Sequence, residues 1–139
     1  MSLPNLDPCL VLIAHMPMAA AFEQCAAHVL GASVIRKRLV CFDVEANAHI
    51  DHEVRRINTA ILAQDKNEVV LLNDLYGATP YRIAHRVSQS LKDQGKQVYL
   101  VAGLSLPMLL KAITDAPNDG LEAYVKRIAE TADRGAVVE

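Results

Sequence analysis

The sequence predicts an α/β fold: a doubly wound, mainly parallel sheet of four strands with helices on both faces. Two observations predict it. Short apolar runs alternate with amphipathic stretches along the chain, and the runs are apolar throughout, as in strands covered on both faces. Such alternation implies parallel strands joined by right-handed crossovers. No linker or repeat interrupts the pattern, so the 139 residues predict a single domain, with residues 1–7 as a loose N-terminal segment.

Four apolar runs predict the strands, at residues 10–14, 39–42, 69–72 and 98–102. The second run follows a basic cluster and closes with Asp43. We expect the order 2-1-3-4 across the sheet, in which the first and third strands are neighbours. A further short run at residues 136–138 predicts a C-terminal strand, and its isolation at the terminus indicates antiparallel pairing with another chain.

Between these runs the apolar residues recur at helical spacing. The stripe before the third strand consists of Ile50, Val54, Ile57 and Ile61. The stripe before the fourth strand consists of Ile83, Val87 and Leu91. A third stripe, near the C-terminus, consists of Leu121, Val125, Ile128 and Ala132. With one helix between the first two strands and one directly after the fourth, the predicted order is βαβαβαβαα.

Residues at the ends of these helices predict their boundaries. Thr79 is placed to cap the helix before the fourth strand, with Pro80 at the first helical position. Asp119 and Glu122 have the spacing of a capping box, with Asp in place of the usual Ser or Thr. Gly31 stands where the helix after the first strand would end.

Composition and charge exclude several classes of function. The formal net charge of −2 offers no electrostatic surface for nucleic acid, so we expect no such partner. No apolar run approaches the ~20 residues that cross a bilayer, and the first residues lack the pattern of a signal peptide, so we expect no membrane insertion. The three cysteines are scattered, which indicates a reducing cytoplasm. No nucleotide-binding motif occurs, and no cofactor is predicted.

Two polar residues follow neighbouring strands of the predicted sheet. His15 comes just past the first strand and Asp74 just past the third. Ligands of an open parallel sheet bind beyond the carboxyl ends of the strands, at the point where the strand order reverses. In the order 2-1-3-4 the two side chains face each other at that point. Taken alone, His15 could be explained as an exposed residue and Asp74 as a turn residue. Because the predicted sheet places them together, we predict that they form a functional site.

A histidine beside a carboxylate is a reactive unit. The carboxylate takes the proton of one ring nitrogen, fixes the tautomer and leaves the other nitrogen with a free lone pair. That nitrogen can attack phosphorus, and the carboxylate stabilises the positive charge that develops on the ring. Backbone amides at helix N-termini would hold the phosphoryl oxygens, and two helices begin nearby, one after His15 and one at Thr79. The loop at residues 76–79 adds amides and a hydroxyl.

Other chemistries are less well supported by the residues. His49, His52 and Glu53 can share one face of a helix, which leaves a metal-binding protein as one hypothesis. Their spacing matches no zinc enzyme, however, so a solvated helix face explains them and no metal site is predicted. A serine hydrolase is excluded because the sequence contains no G-x-S-x-G motif.

Four segments carry a resemblance to a known family: residues 12–15 (LIAH), 42–44 (FDV), 74–80 (DLYGATP) and 102–109 (AGLSLPML). Together they resemble the IIA component of the mannose family of the phosphoenolpyruvate-dependent sugar phosphotransferase system. The Asp-x-aromatic-Gly-x-Ser/Thr-Pro loop is the most specific of them, and it follows the histidine in the correct order. The resemblance extends over nearly the whole chain.

The resemblance implies that the chain is a phosphocarrier. His15 would accept a phosphoryl group from the histidine-containing phosphocarrier protein and donate it to a IIB component, while Asp74 orients the imidazole ring. It also implies that Thr79 donates to a phosphoryl oxygen, beside the amides of Gly77 and Ala78. It further implies a homodimer that exchanges the short C-terminal strand between its two chains.

The chain departs from the family pattern directly after the histidine. Met16 and Pro17 stand where the family commonly has glycine, and Pro17 has no amide proton, so we expect fewer donors to the phosphoryl group on that side. Two alternatives share the same phosphohistidine chemistry. One is a regulatory phosphoprotein that serves no transporter, and the other is the phosphotransfer subunit of a dihydroxyacetone kinase. All three interpretations make the protein a phosphotransferase.

Overall fold

The structure is a computed structural model that describes residues 7–139 of the chain. The loose N-terminal segment predicted over residues 1–7 therefore lies outside the described residues, except for Asp7. The Asp7 carboxylate lies 3.2 Å from Nη1 of Arg38 and 3.1 Å from Nζ of Lys66. These contacts join the start of the described chain to two later segments of it.

Four strands and six helices make up the described chain. The strands are β1 (Cys9–His15), β2 (Leu39–Val44), β3 (Glu68–Asn73) and β4 (Gln97–Ala102). The helices are α1 (Met18–Leu30), α2 (Ala32–Arg38), α3 (Ile50–Leu62), α4 (Thr79–Asp93), α5 (Leu106–Thr114) and α6 (Leu121–Arg134). Each of the four strands predicted for the sheet is present and is one or two residues longer than its apolar run.

One helix, α2, is absent from the predicted order βαβαβαβαα. Gly31 ends α1, as predicted, but with a φ of 97° it also turns the chain directly into a second helix. The two helices are therefore separated by a single residue. A glycine can take this left-handed backbone conformation at little cost, which is why the chain can change direction there without a loop.

The strands form one parallel sheet in the order β2-β1-β3-β4, which confirms the predicted topology. In this register Ile13 of β1 is level with Phe42 of β2 and Asn73 of β3. The ends of the two central strands therefore meet at one edge of the sheet. This places His15, the last residue of β1, beside Asp74, the first residue after β3.

Helices cover both faces of the sheet, as predicted for a doubly wound fold. Alternate residues of β1 point into two separate cores, with Leu10 and Leu12 in one and Val11 and Ile13 in the other. The first core is closed by α1, α2, α5 and α6, and the second by α3 and α4. Each buried Leu, Ile or Val side chain contributes about 1.5–3 kcal/mol to folding, so the paired cores hold β1 rigidly from both sides.

Two of the predicted helix caps are wrong. Helix α4 begins at Thr79 itself, with Ala78 as the N-cap and no side-chain cap. Helix α6 begins at Leu121, also without a side-chain cap. Asp119 instead accepts a hydrogen bond of 2.6 Å from Arg127, and this charge-assisted bond lowers the pKa of the Asp119 carboxyl. The carboxylate is thus engaged by a cation rather than by the helix amides.

The C-terminal residues after α6 form no strand within the single chain. Residues 136–139 belong to no helix or strand, and the side chain of Val138 is 98% exposed. Strand exchange between two chains therefore stays a prediction. None of the helices found between residues 7 and 139 combines the length and apolar character needed to span a bilayer.

Candidate functional site

The predicted pair, His15 and Asp74, is in direct contact. Oδ2 of Asp74 lies 2.9 Å from Nδ1 of the His15 ring. The same oxygen accepts a hydrogen bond of 3.1 Å from the backbone N–H of His15. One carboxylate oxygen therefore holds both the main chain and the side chain of the histidine. A rotation of the ring about its bonds would break the contact with Nδ1, so the ring orientation is defined.

This contact determines which ring nitrogen can react. An ionised carboxylate is only an acceptor, so the hydrogen bond requires the proton to be on Nδ1 of His15. The neutral ring then carries its free lone pair on Nε2. The His15 side chain is 45% exposed whereas that of Asp74 is 10% exposed. The His15 ring is thus open to an incoming molecule while the Asp74 carboxylate is largely shielded.

Asn73 is a site residue that the sequence analysis did not identify. It ends β3, is fully buried, and donates from Nδ2 to the backbone carbonyl of Ile13 at 2.9 Å. Its Oδ1 accepts from the backbone N–H of Leu75 at 3.2 Å. A signal was present, because an amide at the end of an otherwise apolar strand must find partners if it is buried. The identity of those partners depends on the register of β1 and β3.

The predicted phosphoryl-binding residues lie on the turn from Asp74 into α4. Gly77 is exposed and has a φ of 85°, a value that favours glycine, while Ala78 and Thr79 are half-buried. Ala78 precedes the first turn of α4, and its side chain cannot cap that turn. The amides at the start of α4 are therefore left without a side-chain acceptor. A helix end of this kind carries partial positive charge and is suited to an anion.

The sequence analysis predicts that the start of α1 is also available to bind a phosphoryl group, and the structure differs from this expectation. Oδ1 of Asp43 accepts from the backbone N–H of Ala19 at 2.8 Å, and Oδ2 accepts from that of Ala20 at 3.2 Å. The carboxylate thus already occupies two of the first amides of α1. Since Pro17 has no N–H, the anion-binding capacity on this side of His15 is reduced further.

Removing the Asp43 carboxylate should destabilise the protein. We expect Asp43→Ala to lower the free energy of unfolding by about 1–2 kcal/mol, the usual effect of losing an N-terminal cap. Urea denaturation followed by circular dichroism measures the change. Glu130→Ala, at an exposed position of α6, is the matched control and should leave the midpoint within error of the wild type. An Asp43→Ala midpoint equal to that of the control would contradict the capping role.

Two of the cysteines and the residues of the metal-binding hypothesis are poorly placed for a reactive role. Burial raises the pKa of the Cys9 and Cys41 thiols, so both remain protonated and act as packing groups. His49, His52 and Glu53 of the metal-binding hypothesis lie at the start of α3, where Nε of Arg56 donates to Glu53 at 3.1 Å. Across residues 7–139 no group of three or more His, Cys, Asp or Glu side chains is arranged to hold a metal ion.

The match to a protein family covers the whole site. The family model described as the fructose IIA component of the PTS system, EIIA-man, matches residues 9–129. These residues include His15, Asp74 and the loop that leads into α4. The chain belongs to this IIA family. Membership gives it a phosphotransfer role in the sugar phosphotransferase system and makes it a transferase.

Solved structures of IIA proteins share the fold. The mannose/sorbose-specific IIA subunit from Enterococcus faecalis is 21% identical, with a TM-score of 0.79 and 96% of each chain covered. EIIA from Streptococcus agalactiae is 18% identical with a TM-score of 0.76, covering 94% of this chain and 95% of the other. A PTS IIA protein associated with the fucose utilization operon of Streptococcus pneumoniae is 19% identical with a TM-score of 0.72, covering 98% and 96%. No curated protein matches the chain.

The IIA protein exposes apolar side chains beside its histidine. Met16 and Met18 follow β1, and Leu75 and Tyr76 follow β3. All four are exposed, and Tyr76 is 74% exposed. We call these four residues the apolar rim. Large apolar side chains that stay exposed next to a polar site in the sequence suit a surface that binds another protein.

Proposed function

We propose that this IIA protein carries a phosphoryl group on Nε2 of His15. It accepts the group from the histidine-containing phosphocarrier protein and donates it to a IIB component of a mannose-type sugar transport system, in the cytoplasm. The observation that carries this proposal is the double contact of Asp74 Oδ2 with the backbone N–H and Nδ1 of His15. It leaves Nε2 as the nucleophile on a half-exposed ring.

The proposed transfer balances without any additional reactant. The lone pair of Nε2 attacks the phosphorus of the donor phosphohistidine, an N–P bond forms at His15, and the N–P bond of the donor breaks. The electron pair of the broken bond returns to the donor ring. His15 keeps its proton on Nδ1 and becomes positively charged, and Asp74 stabilises that charge. The second transfer repeats these steps with the nucleophile of the acceptor.

The start of α4 supports the binding of the phosphoryl group. We propose that the amides of Gly77 and Ala78 and the hydroxyl of Thr79 donate to its oxygens. The partial positive charge at the end of α4 favours the anion. Because the Asp43 carboxylate occupies the corresponding amides of α1, the proposal assigns phosphoryl binding to the α4 side of His15.

The apolar rim supports a protein, rather than a free sugar, as the transfer partner. A sugar offers hydroxyl groups and requires hydrogen-bonding side chains, whereas the four rim residues offer apolar surface. A docked protein would cover this surface and exclude water from the reacting nitrogen. Exclusion of water also protects a phosphohistidine from hydrolysis during transfer.

The direct test is phosphorylation by the donor chain of the phosphotransferase system. The purified protein is mixed with phosphoenolpyruvate, enzyme I and the histidine-containing phosphocarrier protein, and its intact mass is measured. We expect the mass to rise by one phosphoryl group, and the modification to be lost in acid and retained in base. An unchanged mass, with the same donors shown to phosphorylate another IIA protein, would refute the proposal.

We further propose that the protein is a homodimer that exchanges its C-terminal run. Strand β4 is at an edge of the sheet, and among the strands of residues 7–139 it pairs with β3 alone, so one row of its backbone groups is open to a second chain. Val137 and Val138 are 77% and 98% exposed, and a partner chain would cover them. An added strand would satisfy the edge and bury these side chains at the same time.

Removing the C-terminal run should therefore convert the dimer into a monomer. We expect a protein that ends at Gly135 to have half the molar mass of the full chain by light scattering at equal concentration. Glu139→Ala, which leaves both valines in place, is the control and should remain dimeric. A full-length protein that is already monomeric, or a shortened protein that stays dimeric, would contradict the proposed exchange.

A further inference from the structure

We infer that Asn73 is a positioning residue for phosphoryl transfer, and that its side-chain amide holds Asp74 in the orientation that selects Nε2 of His15 as the nucleophile. The inference rests on the proposed function, because it concerns the same histidine. It assigns a role to a residue that contacts neither His15 nor a phosphoryl group, and it follows from the hydrogen bonds of one buried amide.

The Asn73 amide bridges the two strand ends that carry the site. Nδ2 donates to the carbonyl of Ile13, two residues before His15, at 2.9 Å. Oδ1 accepts from the N–H of Leu75, one residue after Asp74, at 3.2 Å. The chain segments joined in this way are 60 residues apart in sequence. The bridge therefore fixes the position of the Asp74 turn relative to the end of β1.

The same amide also contacts the orienting carboxylate. Nδ2 of Asn73 lies 3.4 Å from Oδ1 of Asp74, a long hydrogen bond. The other carboxylate oxygen, Oδ2, makes both contacts with His15. Each oxygen of Asp74 thus faces a different partner. A carboxylate held at both oxygens cannot rotate freely, and the direction of Oδ2 toward Nδ1 is retained.

The burial of Asn73 means that a residue at this position must supply the hydrogen bonds that its neighbours need. Asn73 is fully buried, and Ser88 is the other buried polar residue among the described core residues. A buried amide costs folding free energy unless its donors and acceptor are paired, and here all of them are. An apolar residue at this position would pack as well as the rest of β3 does. Such a residue would leave the Ile13 carbonyl and the Leu75 N–H without partners and Asp74 held by His15 alone.

Replacement of Asn73 tests the inference by a readout that a purely structural residue would not change. Asn73→Leu keeps the branching at Cγ and removes all three hydrogen bonds, whereas Asn73→Thr keeps one hydroxyl that can both donate and accept. We measure the ¹⁵N chemical shifts of the His15 ring at a pH above the titration range of free imidazole. These shifts report the tautomer of the neutral ring. We also measure the rate of phosphorylation by phosphoramidate, a small donor, and by the phosphocarrier protein.

In the wild type we expect one tautomer, with the proton on Nδ1. In Asn73→Leu we expect both tautomers and rates that fall by at least about tenfold with either donor, in line with the loss of an outer hydrogen-bond partner of a reactive histidine. Asn73→Thr should recover part of the rate, and it replaces Asn73→Leu as the test if the leucine variant does not fold. Ser88→Ala, the matched control, should alter neither the tautomer nor the rate.

Two results separate this inference from the proposed function. If Asn73→Leu and Asn73→Thr unfold at a lower temperature but retain the wild-type tautomer and rates, Asn73 is only a structural residue and the inference is overturned. If the wild-type protein is not phosphorylated by either donor, the proposed function fails. The tautomer of His15 in the variants then decides by itself whether Asn73 positions the Asp74–His15 pair.

Discussion

His15→Ala is expected to abolish phosphorylation by the phosphocarrier protein completely. The substitution removes the nucleophile that the Asp74 contact orients, and no other histidine between residues 7 and 139 is hydrogen-bonded to Asp74. The expected result is an intact mass that stays at its starting value under conditions in which the wild-type protein is fully modified. The loss should be absolute rather than partial, because without Nε2 no N–P bond can form at this site.

His85→Ala is the matched control for this experiment. His85 is an exposed residue of α4, and its ring stacks at 6.0 Å on that of Tyr81 rather than on a carboxylate. We expect this variant to be phosphorylated to the same extent as the wild type. Since the His15 ring is partly exposed, His15→Ala should also leave the urea midpoint nearly unchanged. Persistent labelling of the His15→Ala protein would show that another residue carries the phosphoryl group.

Asp74→Asn is expected to have the second largest effect, because it changes a proton position and hardly any volume. The amide oxygen can still accept from the backbone N–H of His15. If the NH₂ group instead takes the position of Oδ2, it loses the hydrogen bond from the backbone N–H of His15, donates to Nδ1 and moves the ring proton to Nε2, which then has no lone pair to offer. We expect the rate of phosphoryl uptake to fall by about 10²- to 10⁴-fold, as for other reactive histidines that lose an orienting carboxylate.

Rapid-quench kinetics with the phosphocarrier protein measures this rate, and the ¹⁵N shifts of the His15 ring measure the tautomer in the same samples. Asp93→Asn, at the end of α4, serves as the control for the loss of one negative charge. A slow Asp74→Asn variant with the wild-type tautomer would mean that the carboxylate acts through its charge alone. A variant that transfers at the wild-type rate would remove Asp74 from the mechanism.

Most of the fold can be predicted from local patterns of apolar residues in the sequence. Strands covered on both faces carry continuous apolar runs, and β1, β3 and β4 contain such runs at residues 9–14, 69–72 and 98–102, which can be recognised without a structure. Parallel strands with crossover helices allow few topologies, so the order of the strands can be predicted as well. Helix α2 was missed because it has seven residues and follows α1 across a single glycine. A short helix of this kind has no stripe long enough to recognise.

The site follows from the sequence only in part. His15 and Asp74 could be paired because the strand order places the ends of β1 and β3 side by side. The roles of Asn73 and Asp43 depend on contacts between distant segments, and such contacts require the register of the strands. The capping roles assigned to Thr79 and Asp119 were wrong for a local reason, because α4 already includes Thr79 and the N-cap of α6 is Gly120. A polar residue near a helix start has several competing partners, and Asp119 pairs with Arg127.

The Asp43 carboxylate at the start of α1 influences how readily a phosphocarrier can release a bound phosphoryl group. A carrier works best when the free energy of the bound group lies close to that of its donor and acceptor. Each favourable interaction with a helix end contributes about 0.3–1 kcal/mol, so a second helix end would hold the phosphoryl group about two- to fivefold more tightly. With a built-in anion on α1, that extra affinity is absent and the group stays easy to release. Reversibility of this relay would then depend on a carboxylate that never takes part in the reaction.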